Sequence, residues 1–326
     1  MKKEELLQML MEAHDYVSGQ ELCEHFGVSR TAVWKAIKQL EKEGCRIEAV
    51  NNRGYLLQEN DDMMSGVEIA GYMDTTSMGK NLFFHKETGS TNVDVKQLAE
   101  EGAVEGTLVV ADRQNAGRGR RGRAWISPAG ESIYMSLLLR PRCAPDKASG
   151  ITLVMAIAVL EAVKELAGET SGIKWPNDIV INKKKMCGIL TEMSTDMESI
   201  HYVVVGVGIN VNQRSFADDI KDTATSIYVE TGKKTNRSKL VARVMYYFEK
   251  NYEIFQKTWD LTGLVDKYNG FLLNCGQQVR VLDPKGEYNG VAQGINEKGE
   301  LLVERDGQVV AVYAGEVSVR GIYGYV

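Results

Sequence analysis

Apolar residues first recur at helical spacing in three short stretches near the N-terminus. Leu6, Leu7, Leu10 and Met11 mark one helix over residues 4–13, and Ser18 is placed to cap a second that carries Leu22 and Phe26. The run Gly27, Val28, Ser29 breaks that helix, and Ser29 can cap a third over 30–43. Its inner stripe is Val33, Ile37 and Leu40, while Arg30, Thr31, Lys35, Lys38 and Lys42 fall on the opposite face. Gly44 stops the third helix, and the apolar runs 46–50 and 55–57 flank turn residues 51–54, which predicts a hairpin wing. Two helices joined by a glycine turn, the second basic outside and followed by a hairpin, make a winged helix-turn-helix.

Beyond a polar linker at 59–62 the pattern becomes mixed. Strand-like runs occupy 81–85, 107–112, 132–139, 179–181, 188–193 and 202–209, with helices near 93–101, 146–167 and 239–257. The last three strands are spaced for hairpins, so the sheet is expected to be mostly antiparallel. After residue 270 only strands and turns remain, at 278–282, 287–294, 301–304, 309–313 and 317–320, with turns at 283–286, 296–299 and 306–307; five short strands in so little chain predict a small barrel. The fold class is therefore α+β and multidomain: a winged helix over 1–62, a central α/β domain with a mostly antiparallel sheet over 66–270, and a barrel over 271–326.

Composition narrows the choice. The chain has 326 residues, 44% apolar and 25% charged, as ordinary globular proteins are. A net charge of -5 excludes indiscriminate attraction to nucleic acid or anionic membrane, so polyanion binding has to come from local patches. Residues 1–60 carry eight Lys or Arg against ten Asp or Glu, but residues 28–46 hold Arg30, Lys35, Lys38, Lys42 and Arg46 against Glu41 and Glu43. The positive charge sits on the face that would enter a DNA groove. Five cysteines without paired spacing (Cys23, Cys45, Cys143, Cys187, Cys275) suggest reduced, buried thiols and a cytoplasmic protein. No signal peptide or membrane span is expected; the longest apolar run, near 151–160, reads as a core helix.

The densest chemistry lies at residues 117–123, where three glycines alternate with Arg118, Arg120, Arg121 and Arg123, followed by Trp125. Glycines let the backbone approach a ligand, and guanidinium forks match phosphate and carboxylate oxygens. A basic linker or a nucleic-acid patch has the same composition, but this run joins two core strands. With little apolar surface of its own, the loop is expected to be floppy until an anion fills it. Four more polar clusters fall in the same domain: Gly89, Ser90, Thr91 and Asn92; Asp112, Arg113 and Gln114; Lys174 to Asp178; and Lys183, Lys184 and Lys185 ahead of Cys187. Together they suit a small ligand with amide and carboxylate groups. The run 206–210 superficially resembles a dinucleotide loop but lacks its third glycine and following helix. The four histidines (His14, His25, His85, His201) show no metal-ligand spacing and no serine or cysteine partner, so no metal site of the chain's own and no acyl-enzyme are expected.

Residues 117–123 with Trp125, the 174–178 cluster, 185–190 and 206–212 resemble the bifunctional biotin protein ligases that also repress biotin synthesis genes, and the resemblance spans essentially the whole chain. It implies a class II synthetase-like central domain and an SH3-like C-terminal barrel. It implies a biotin site at Ser90, Thr91, Asn92, Gln114, Arg118, Gly119, Arg120 and Lys185, and an adenylate or ATP site at Arg120, Arg121, Arg123, Trp125, Asn177, Asp178 and Asn210. Lys185 and Arg118 would carry catalysis, with Mg-ATP as cosubstrate and biotinyl-5′-adenylate as intermediate and corepressor. The implied partners are a biotin carboxyl carrier protein domain, operator DNA and a second copy of the chain once adenylate is bound; no membrane partner is expected. Ser29, Arg30, Thr31, Trp34, Lys35, Lys38 and Arg53 would face DNA, although Trp34 could equally pack on the wing or belong to the core. Two other readings stay open: a biotin-sensing repressor without ligase activity, and a lipoate-type ligase.

Overall fold

The computed structural model describes residues 3–13, 15–42, 45–58, 64–168, 171–196, 199–283, 286–314 and 318–321. Helices α1 (Lys3–Ala13), α2 (Gly19–Phe26) and α3 (Arg30–Lys42) precede the antiparallel hairpin β1 (Ile47–Val50) and β2 (Gly54–Leu57). Ser18 Oγ accepts the Glu21 N–H at 3.1 Å, and Gly27 closes α2 in the left-handed region. Leu6, Leu7, Leu10, Leu22, Val33, Ile37 and Leu40 form one buried core, so the helical stripes meet as their spacing requires. The expected stop at Gly44, the linker 59–62 and His14 lie outside the described residues, as do residues 284–285 of the turn at 283–286.

The central unit runs α4 (Gly66–Tyr72), β3 (Leu82–His85), α5 (Thr91–Glu100), β4 (Leu108–Ala111), β5 (Ser132–Leu139), α6 (Ser149–Ala167), β6 (Ser171–Lys174), β7 (Asp178–Ile181), β8 (Lys184–Thr195), β9 (Ile200–Asn210), α7 (Ile227–Thr231), α8 (Arg237–Phe255) and α9 (Val265–Phe271). Its seven strands are ordered β3-β4-β5-β9-β8-β7-β6, antiparallel throughout except for the β3–β4 pair. Alternation along the strands divides the faces. Val109, Leu138 and Val204 pack with Val95 and Ala99 of α5, whereas Leu108, Val110, Leu137, Val203 and Val205 join the core shared with α6 and α8. The apolar run at 151–160 is a buried part of α6. Four elements beyond those expected, α4, β6, α7 and α9, are only 7, 4, 5 and 7 residues long. In β6 the apolar pattern reduces to Ile173, although all four of its residues are buried.

Strands β10 (Gln278–Leu282), β11 (Tyr288–Ile295), β12 (Leu301–Arg305), β13 (Gln308–Val312) and β14 (Ser318–Gly321) form an antiparallel SH3-like sheet ordered β13-β12-β11-β10-β14. Val279, Val281, Ala292, Leu301 and Val303 belong to the same core cluster as the central domain. Trp175 pins the two together: it is 1% exposed, and its Nε1 donates to Gly299 O at 3.0 Å. All five cysteines are free, but the expectation of buried thiols holds at Cys45 and Cys187 alone: Cys23 and Cys143 are half-buried, and Cys275 is exposed in the turn ahead of β10. Among the described residues no helix is long and apolar enough to cross a membrane.

Candidate functional site

A cavity of about 1370 Å³ opens where the start of α5, the loop after β4, the β6–β7 turn, the start of β8 and the end of β9 converge. Every residue assigned above to biotin or adenylate lines it: Ser90, Thr91, Asn92, Gln114, Arg118, Gly119, Arg120, Arg121, Arg123, Trp125, Asn177, Asp178, Lys185 and Asn210. Five lysines and five arginines line it against four carboxylates, so a chain of net charge -5 concentrates positive charge here.

One end of the cavity is a network of amides and hydroxyls. Gln114 Oε1 accepts the Thr91 N–H at 2.9 Å and lies 3.1 Å from Thr91 Oγ1, while its Nε2 donates to Ser127 Oγ at 3.3 Å. The Ser136 hydroxyl is 2.6 Å from Asn92 Oδ1 and 2.7 Å from Thr91 Oγ1. Asn92 Nδ2 donates to Glu192 Oε2 at 2.6 Å, and Lys96 Nζ is 2.7 Å from Glu192 Oε1. Both ends of the Asn92 amide are thereby oriented, as specific recognition of a polar ligand requires. Ser90 is the N-cap residue of α5, yet its side chain makes no cap bond. Burial works to raise the pKa of Glu192, but the bonds from Asn92 and Lys96, with the charges of Lys96 and Arg118, hold it below the usual carboxylate range. Ser136, Lys96 and Glu192 join this network without belonging to any of the polar clusters of the sequence. Ser136 left a trace as a fully buried hydroxyl within the apolar run of β5; the other two left none, because their partners are far away in sequence.

The opposite end is cationic. Lys185 Nζ lies 2.6 Å from Asp178 Oδ1 and 5.3 Å from the centre of the Trp125 ring. Glycines in β9 make room for this packing: a Cβ on Gly208 would fall 2.7 Å from the Trp125 ring, and one on Gly206 would fall 2.1 Å from Asn92 Oδ1. The run rejected as a dinucleotide loop is therefore strand, with its glycines serving as clearance. Lys174 is the cross-strand partner of Asp178 and is buried. Burial, opposed by Asp178 and reinforced by Lys185, Arg320 and Arg123, pulls its pKa down to about 8. Arg320 reaches the cavity wall from β14, which nothing local in the sequence announced.

The arginine loop is clasped at its base. Arg237, 1% exposed, donates from Nη1 to Asp112 Oδ1 at 2.7 Å and to Ser132 O at 3.0 Å. Both Asp112 oxygens accept the Gly130 N–H at 3.1 Å, so one carboxylate ties the two ends of the loop. Inside it, Gly119 N–H donates to Arg123 O, and Arg121 takes a left-handed turn with φ 57°. Arg118, Arg121 and Arg123 are exposed, whereas Arg120 is half-buried: its Nη1 donates to Asn177 Oδ1 at 3.1 Å and its Nη2 to Ala314 O at 2.7 Å. These long-range anchors, at Asp112 and Arg120, supply bonds that the local composition cannot.

On the winged helix, Ser29, Arg30, Thr31, Trp34, Lys35 and Lys38 are all exposed along the start and outer face of α3. Ser29 Oγ also accepts the Ala32 N–H at 3.3 Å, capping the helix. Trp34, 52% exposed, is excluded from the core. Arg53 at the wing tip is exposed, with its guanidinium 4.2 Å from the centre of the Tyr16 ring and 3.9 Å from Asp15.

The family described as biotin/lipoate A/B protein ligase matches residues 85–210, an HTH domain matches 2–56, and the biotin protein ligase C terminal domain matches 275–320. The chain is 39% identical over 320 residues to the bifunctional ligase/repressor BirA of Bacillus subtilis, covering 97% of this chain and 98% of that one. It is 29% identical to BirA of Escherichia coli over 94% of both chains. Among solved structures, biotin protein ligase from Aquifex aeolicus in complex with biotin and ATP superposes with a TM-score of 0.66 at 35% identity, covering 74% of this chain and 99% of that one. With the winged helix, the cavity-bearing sheet and the C-terminal SH3-like unit all matched in order along nearly its full length, the chain belongs to the bifunctional biotin ligase/repressor family.

Proposed function

We propose that this protein activates biotin with Mg-ATP, transfers it to a lysine of a biotin carboxyl carrier domain, and represses biotin synthesis genes when biotinyl-adenylate occupies its cavity. The observation that carries this reading is one large cavity with an amide and hydroxyl network at one end and a cation cluster around Lys185 at the other. The polar end, through Ser90, Thr91, Asn92 and Gln114, takes the ureido ring. The biotin carboxylate then attacks the α-phosphate, an acyl–phosphate bond forms, and pyrophosphate leaves. Lys185 and Arg118 neutralise the charge that develops on phosphate oxygen, and Trp125 and Asn210 border the adenylate. Mg²⁺ arrives as part of the ATP substrate. The nucleophile of the second step is the acceptor's lysine, so the chain needs none of its own.

Repression uses the outer face of α3. Arg30, Lys35 and Lys38 meet phosphates, and Trp34 offers an apolar contact to base edges. One winged helix covers a short half-site, so adenylate acts by strengthening self-association through a surface of the central domain, and two copies read a two-fold operator. Incubation with biotin, ATP, magnesium and a carrier domain tests the first activity: the carrier gains the mass of one biotinyl group. Operator titration with sedimentation, with and without biotinyl-adenylate, tests the second. A monomer that binds operator more tightly on adenylate addition would exclude the dimer route.

A further inference from the structure

A second cavity, of about 200 Å³, adjoins the first and is used by nothing described so far. Arg120, Pro176, Asn177, Ile189, Leu190 and Glu192 border both, so the two spaces share a wall. The far side of the smaller one is formed by the first turns of α6, by the middle of β8 and by the end of the C-terminal sheet. Ala148, Met193 and Tyr313 give it apolar surface; Thr152 and Thr191, whose hydroxyls lie 2.7 Å apart, add a polar strip. The charged groups on its lining are Arg120 and Glu192. Arg120 is turned to Asn177 and to the Ala314 carbonyl, and Glu192 to Asn92 and Lys96.

These walls suit a particular side chain. A lysine has an apolar four-carbon stem that lies comfortably against Met193 and Tyr313, and a compact ammonium that is drawn to a carboxylate. Tyr313 and Met193 are 52% and 48% exposed, so the outer rim is open to a protein partner. The inner wall is the one behind which the adenylate would sit.

We infer that this second cavity is the route by which the acceptor lysine reaches the activated biotin, with its stem lying along Met193 and Tyr313 and Arg120 standing at the junction. The inference rests on the ligase reading above. At the junction the ε-nitrogen attacks the acyl carbon; the carbon–nitrogen bond forms, the carbon–oxygen bond to phosphate breaks, AMP leaves as the phosphate dianion, and the two protons lost by the ammonium pass to solvent. The Arg120 contact with Ala314 O makes the C-terminal sheet part of the channel wall, so that sheet contributes to acceptor transfer as well as to packing.

The test separates the two half-reactions in the full-length protein. Ser149→Trp fills the channel from the first turn of α6, away from the larger cavity's lining. Biotin-dependent pyrophosphate exchange by this variant is expected to stay within about twofold of wild type. Capture of the adenylate by hydroxylamine, which is small enough to enter from the larger cavity, is expected to be unchanged. Transfer to the carrier domain is expected to fall at least about tenfold, which corresponds to roughly 1.4 kcal/mol. Met193→Trp fills the same space from the opposite wall and decides the matter if the first variant does not fold. Wild-type transfer by either folded variant, with exchange intact, would overturn the channel. Absence of exchange in the wild-type protein would instead remove the ligase reading itself.

Discussion

The cations of the central cavity and those of α3 carry the same charge in opposite settings. Lys185 is held against Asp178, Arg120 is bonded to Asn177 and Ala314, and Lys174 is buried, so each is oriented before any ligand arrives. On α3, Arg30, Lys35 and Lys38 are exposed, and the ion pair of Lys38 with Glu41 is a local i,i+3 contact on the helix surface. Oriented cations in a partly desolvated cavity are worth far more per charge than exposed ones, which act through counterion release and are screened by salt. One region is built to discriminate a small molecule, the other to add a graded attraction to a long polyanion.

The largest effect expected from that contrast is in substrate choice. Lipoate offered in place of biotin should label the carrier on the order of 10⁴-fold less efficiently, because the amide and hydroxyl end of the cavity would be left without partners. Comparable labelling by the two would mean that the network around Asn92 orients nothing. Next comes Lys185→Ala, for which pyrophosphate exchange should drop by about 10²–10³, with biotin binding in the absence of ATP changed much less. An exchange rate close to wild type would show that the cation cluster acts in binding alone.

The pH dependence is more modest. Folding lowers the Lys174 pKa to about 8, below its value in the unfolded chain, so the folded protein binds fewer protons than the unfolded chain between that pH and the ordinary lysine range. Protein stability from this group therefore rises with pH across that window, whereas anion binding there requires proton uptake. ATP affinity should fall as pH rises through about 8, approaching tenfold per unit at most, and Lys174→Met should flatten the profile. Titration calorimetry in two buffers of different ionisation enthalpy reads the proton directly; no uptake above pH 8 would place Lys174 outside the phosphate contacts.

The smallest effect is expected on the winged helix. Lys35→Ala should weaken operator and non-operator DNA alike and reduce the slope of log affinity against log salt by about 1. Loss of affinity for operator alone, with an unchanged slope, would make Lys35 a base contact and bring α3 closer in character to the cavity.

The regions differ as much in how far they could be read. The winged helix was legible because its order is local: Leu6, Leu10, Val33, Ile37 and Leu40 recur at helical spacing, and Ser18 and Ser29 stand where caps belong. The long strands and α6 were legible for the same reason. The antiparallel sheet followed from hairpin spacing, and the substrate residues followed from clusters of unusual composition, sharpened by family resemblance. Those clusters are far apart in sequence, and only folding brings Gln114 to Thr91 or Lys185 to Trp125.

Local periodicity and turn chemistry by themselves determined the element types, the basic face of α3 and the richness in donors of residues 117–123, because each depends on neighbours within a turn or a strand pair. Tertiary structure alone decided which charges are oriented. The clasp of Asp112 by Arg237, the turn of Arg120 toward Ala314 and the approach of Arg123 and Arg320 to Lys174 all join groups dozens to nearly two hundred residues apart. Burial and distance set their energies, and neither is a property of any one stretch of chain.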